Sequence, residues 1–164
     1  MPHPLVDHLR FARSELVRSL EGVTEDEATR RFLPMNSISW IVGHLADQEQ
    51  RYWLERQGHP RAVEGLNDRV GYGQPASTPP LAEMWEAWRT ITAAADPILD
   101  AFDESDLLST PQHAKGESNG TLILRVTWHY WFHLGEGQAI RQLLGHTDLP
   151  VFVGDMSGVP YRQP

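Results

Sequence analysis

An all-α fold is what this sequence predicts, and three observations predict it. Apolar residues recur at helical spacing through four long segments. Residues that cap and stop helices (Ser, Thr, Asn, Gly and Pro) stand at the ends of those segments. Alternating strand patterns are scarce. A helix bundle is the architecture that buries four apolar stripes at once.

The first helix is predicted from about Pro4 to Glu21, with Leu5, Leu9, Leu16 and Leu20 near helical spacing and Gly22 as its stop. A short helix follows in TEDEATRR, where Thr24 and Glu27 have capping-box spacing, and RFLPMNS breaks it with Pro34 as the stop. The second long helix starts at Asn36 or Ser37, both good N-caps, and runs to Gly58. Its stripe is Ile38, Ile41, Val42, Leu45, Tyr52 and Trp53. Residues 58–80 form a long polar connection, a crossover or a functional loop. The third helix opens at Thr78 with prolines in its first turn. Its core residues are Leu81, Met84, Trp85, Trp88, Ile91 and Ile98, and Pro97 kinks or ends it. After STPQHAKGESNG the fourth helix caps at Ser118 or Asn119 and ends at Gly145. Its stripe reads Leu122, Val126, His129, His133, Gly137, Ile140 and Leu144. The tail LPVFVGDMSGVPYRQP is extended and folds back over the helices.

The 164 residues fit one domain spanning 1–164, with no internal repeat. There is no cysteine, so disulfides, thiolate metal sites and a cysteine nucleophile are excluded. Any metal must use His, Asp, Glu, carbonyls or water, and any thiol must come from outside. Fourteen basic against 22 acidic residues give a formal charge of −8, which argues against nucleic acid as a partner. No apolar run reaches the length of a membrane helix, and no signal peptide is visible, so a cytoplasmic location is expected.

His129 and His133 sit four apart, about 40° around a helix, so their imidazoles can reach one ion. Their place on the apolar stripe points them inward. Two buried imidazoles without partners would cost about 1–3 kcal/mol each, so something must satisfy them. His44, in WIVGHLA, lies near the inner face of the second helix. Three imidazoles from two helices would make a three-nitrogen site with an open position, the pattern of a catalytic metal centre. Core histidines bonded to Tyr, to carbonyls or to each other satisfy the same spacing. HYWFH lacks the Glu of an HExxH protease, and no ExxH, phosphate loop, EF-hand or GxSxG elbow is present. Among the other histidines, His3, His59 and His113 are expected in solvent, His146 at a helix end, and His8 is selected by nothing. Trp40, Trp128 and Trp131 are candidates to wall a pocket. Arg125, Glu136 and Arg141 are charged residues near the pair.

WIVGHLADQEQRYW, followed far downstream by HYWFHLGEGQAIRQLLGH, resembles the DinB-like superfamily over roughly Leu5 to Leu149. The resemblance implies a four-helix bundle of up-down-down-up topology. It implies a divalent ion (Zn, Ni or Fe) held by His44, His129 and His133. Some relatives carry Glu where this chain has His129, which puts it in an all-histidine branch. Gly135 and Gly137 would let a neighbour approach, and Gln138 belongs to packing or to a second layer around the ion. The implied activity is metal-dependent transfer or isomerisation with a low-molecular-weight thiol of the mycothiol or bacillithiol type, acting on a small-molecule substrate. A homodimer is implied as well. The alternatives are a metal-dependent hydrolase, a non-enzymatic stress-related protein that binds metal or another ligand, and a dimeric structural bundle without an ion.

Overall fold

The computed structural model describes residues 2–111, 116–151 and 153–161. Among these, seven α-helices form and no strand does. They are α1 (Pro4–Ser19), α2 (Glu25–Thr29), α3 (Ile38–Trp53), α4 (Leu66–Val70), α5 (Leu81–Ala101), α6 (Glu104–Leu108) and α7 (Asn119–Leu143). The four long ones are the four expected. None of the helices is long and apolar enough to cross a membrane.

Side chains fix most of the helix starts. The Ser37 hydroxyl accepts from Trp40 N at 3.2 Å and the Ser118 hydroxyl from Thr121 N at 3.3 Å. Thr24 and Glu27 form the expected capping box. The third long helix differs from its sequence reading. It begins at Leu81, three residues beyond Thr78, and has no cap of its own. Instead the Glu25 carboxylate, on α2, accepts from Leu81 N at 2.7 Å and Ala82 N at 3.3 Å. A carboxylate at a helix N-terminus meets both the free N–H groups and the positive end of the dipole. The same helix runs through Pro97 to Ala101. Ala95 and Leu99, both fully buried, anchor it on either side, and Leu99 takes the core place expected of Ile98. α2 stops at Thr29, well before Pro34.

α3 is buried along nearly its whole length, which makes it the central helix. It packs on α5 and α7, and α1 packs on α7. Gly43 permits a close approach of α5 and α4: a Cβ there would meet Met84 Sδ at 2.3 Å and Val70 Cγ1 at 3.2 Å.

A buried polar chain ties the four long helices together. Arg13 on α1 grips Glu49 on α3 with two bonds, Nε to Oε1 at 2.7 Å and Nη2 to Oε2 at 2.5 Å. Its Nη1 donates to Asp96 on α5 at 2.7 Å. Tyr130 on α7 donates to Glu49 Oε1 at 2.8 Å and accepts from Trp88 Nε1 on α5 at 2.7 Å. Burial opposes the charge of Arg13, but the Glu49 carboxylate outweighs it and holds the guanidinium protonated.

The 58–80 connection is less irregular than its composition predicts. It carries α4, which buries Leu66 and Val70 against α3. The Gln50 side chain on α3 pins its start, accepting from Ala62 N at 2.9 Å and Val63 N at 2.8 Å. The tail folds back as expected and lies against α1. Gly154 N donates to Glu15 at 2.9 Å, and Arg18 donates to the Val151 carbonyl at 2.7 Å.

Candidate metal centre

α3 and α7 bring His44, His129 and His133 together. One nitrogen from each lies within 4.8 Å of the others. His44 and His133 are buried and His129 is half-buried. The Trp40 ring stacks on His44 at 4.4 Å between centroids, 12° from parallel, and fixes its plane.

The outward nitrogens decide where the protons are. His44 Nδ1 lies 2.9 Å from the Val70 carbonyl at the end of α4. His129 Nδ1 lies 2.5 Å from Gln48 Oε1, and His133 Nδ1 lies 2.8 Å from Glu136 Oε2. All three partners are oxygen acceptors, so each Nδ1 carries its ring's proton. Each Nε2 is then a bare lone pair. Two of them face each other: His129 Nε2 and His133 Nε2 are 3.0 Å apart. Two neutral imidazoles with this proton assignment have no hydrogen to share across that gap. A proton on one of the rings or a metal ion bound by both would relieve it.

On His129 or His44 a proton is a poor choice of cation. Burial pushes the His129 imidazole down to about 3, and the neighbouring rings of His133 and His44 push the same way. Burial likewise pushes His44 down to about 4, against the Val70 carbonyl. The three histidines could also hold a divalent ion together. Nitrogens bound at about 2.0–2.1 Å in a tetrahedral set stand about 3.3 Å from one another, near the 3.0 Å between His129 Nε2 and His133 Nε2. Ring N–H groups held by a carbonyl, an amide oxygen and a carboxylate are the usual supports of histidine ligands.

The match between sequence and structure is uneven around this core. Trp128 shares a cavity wall with His129, whereas Trp131 packs toward α1 on Phe11, 6.0 Å between centroids. Arg141 is buried and serves the Ser19 carbonyl and His146, away from the cluster. His146 also meets Glu27 at 2.9 Å. His3 caps α1 by accepting from Leu5 N at 3.2 Å. His8 and His59 are exposed, and His113 lies outside the described residues. Gln138 is half-buried; the glutamine that reaches the cluster is Gln48. Leu20 is the neighbour that approaches Gly137, and nothing approaches Gly135. Sequence reasoning missed Gln48 and the Val70 carbonyl, and it gave Glu136 no partner. Gln48 is four residues from His44 and Glu136 three from His133, so helical spacing could have found both. A carbonyl supplied by a distant loop leaves no such mark.

A family model described as mycothiol-S-transferase matches residues 4–145. The chain belongs to the mycothiol-S-transferase family. This is a DinB-like family, so the resemblance carried by the two histidine blocks holds. The matched span takes in all seven helices of this mycothiol-S-transferase family member and all three histidines, and it stops where the tail begins. No curated protein matches the chain.

Proposed function

We propose that His44, His129 and His133 hold a divalent ion, Zn, Ni or Fe, and that the protein uses it to transfer the sulfur of a low-molecular-weight thiol to a small electrophile. The observation that carries this reading is the ring arrangement: each Nδ1 faces an oxygen outside the cluster, and one nitrogen of each ring lies within 4.8 Å of the others. A bound ion would supply the positive charge that keeps a thiol as thiolate at neutral pH. The chain supplies the rest. Val70, Gln48 and Glu136 hold the rings in one tautomer and one orientation. Trp40 shields one side of His44, and the cavity beside His129 gives room for the reacting partners. Because the chain has no cysteine, no internal thiol competes for the site.

The wider reading is a single domain over 1–164, with α1, α3, α5 and α7 as a four-helix bundle in up-down-down-up order. We place it in the cytoplasm as a homodimer. The packing of α3 on α5 and α7, and of α1 on α7, supports the bundle.

Elemental analysis of protein purified without chelators tests the centre. Stoichiometric divalent metal is expected, lost in His44→Ala, His129→Ala and His133→Ala. A panel of cellular thiols with a model electrophile should show turnover only when metal and thiol are both present. Protein that takes up none of the three metals would overturn the reading. Turnover with metal and water alone would replace it with a hydrolase.

A further inference from the structure

A cavity of about 420 Å³ opens between α3 and α7 alongside His129. Tyr52, Leu124 and Trp128 give it flat and apolar walls, and Gln48 and Arg125 give it polar ones. The positive charge around it is out of keeping with a chain of formal charge −8. Arg125 lines the cavity itself. Arg56 lies over the Tyr52 ring at 4.1 Å, and Arg51 stands 5.9 Å from the same ring.

Two carboxylates stand near these three guanidiniums: Asp47, which feels the charge of Arg51, and Glu117. Glu117 accepts from Arg125 Nε at 2.9 Å and also from its Nη2, which leaves the Nη1 side of the guanidinium for a ligand. Among the described residues Arg51 and Arg56 form no ion pair. One nitrogen of each, Nε of Arg51 and Nη1 of Arg56, is buried without a hydrogen-bond acceptor. Holding a partly desolvated guanidinium nitrogen without an acceptor is costly, and a carboxylate is the partner its planar fork fits best.

We propose that this cavity is a subsite for a small organic acid with a flat apolar body. The body lies between Tyr52 and Trp128, Arg125 takes the carboxylate, and Arg51 and Arg56 balance its charge. The inference rests on the thiol-transfer reading in one respect: there, the acid belongs either to the thiol or to the electrophile.

The first test needs no metal. Chelator-stripped protein is titrated with cinnamate and with cinnamamide, which share a shape and differ in charge. Stripping the ion prevents it from taking the carboxylate itself. Cinnamate should bind about tenfold more tightly than the amide, the worth of one charge-assisted pair. Arg125→Gln and Arg51→Gln should each remove most of that difference and leave amide binding unchanged. Arg125 is exposed enough to be replaced without unfolding, so the test survives if Arg51→Gln folds poorly. Equal binding of acid and amide, no binding of either at millimolar concentration, or a preference that survives Arg125→Gln would overturn the proposal. A second test separates the sources in metal-loaded protein. An acidic thiol is compared with its amide, and maleate with its diamide. The partner whose KM rises in Arg125→Gln is the one seated here, and a KM unchanged for both overturns the proposal. If the protein binds no metal, the thiol-transfer reading falls while the first test still decides the subsite.

Discussion

Two buried polar clusters share α3 and α7, and they are satisfied in opposite ways. Glu49 and Tyr130 belong to one, Gln48 and His129 to the other, so each helix gives adjacent residues to both. In the Arg13–Glu49–Tyr130 cluster every bond runs from a donor to an acceptor of the chain, and the charges of Arg13 and Glu49 cancel at contact. In the histidine cluster each Nδ1 faces an oxygen of the chain, but the Nε2 atoms of His129 and His133 face each other. The first cluster is complete as folded. On the proposed reading the second is complete only with a cation. A buried polar group therefore says little until its protons are counted; the count separates a fastening from a binding site.

The largest effect should come from breaking the complete cluster. Glu49→Ala strips Arg13 of its buried partner, and losing one side of such a pair costs about 3–5 kcal/mol. Asp96 still accepts from Arg13, which places the expected loss toward the lower end. Urea denaturation measures it, and metal stoichiometry of the folded protein should not change. Glu136→Ala addresses the other cluster. Removing the acceptor of His133 Nδ1 should weaken metal binding about 10–100-fold, read by competition with a chelator, while the melting temperature of the metal-free protein barely moves. Tyr130→Phe is the finest probe, because its ring stands next to His129 in sequence. It should cost about 1–2 kcal/mol, since Trp88 Nε1 and Glu49 Oε1 each lose a partner. Metal affinity should stay as it was. A Tyr130→Phe protein that lost its metal would show that the two clusters are one.

Much of the fold could be read from residue order because it is written in local chemistry. Ser37, Ser118 and the Thr24–Glu27 pair mark helix starts with their own side chains. The stripe Leu122, Val126, His129, His133, Gly137, Ile140 and Leu144 pointed the histidines inward before any neighbour was known, and His133 is buried and His129 half-buried. What sequence reading missed depends on distant partners. Leu81 starts α5 because Glu25 reaches it from α2. Arg13 sits between Leu9 and Leu16 on the buried face of α1, where a charge is tolerated only opposite Glu49. The hold on His44 comes from α4, inside a stretch whose glycines and prolines predict a loop.

The adjacency of Gln48 with Glu49, and of His129 with Tyr130, has a kinetic consequence. The Tyr130–Glu49 bond helps fix how α3 and α7 sit against each other, one residue from His129. The three-histidine group is thus assembled by folding itself. In small zinc domains the metal drives the chain to fold, and uptake and folding are one event. Here loading is expected to be a plain bimolecular capture, with a rate proportional to free metal and no refolding phase. Emptied protein should keep its shape and refill.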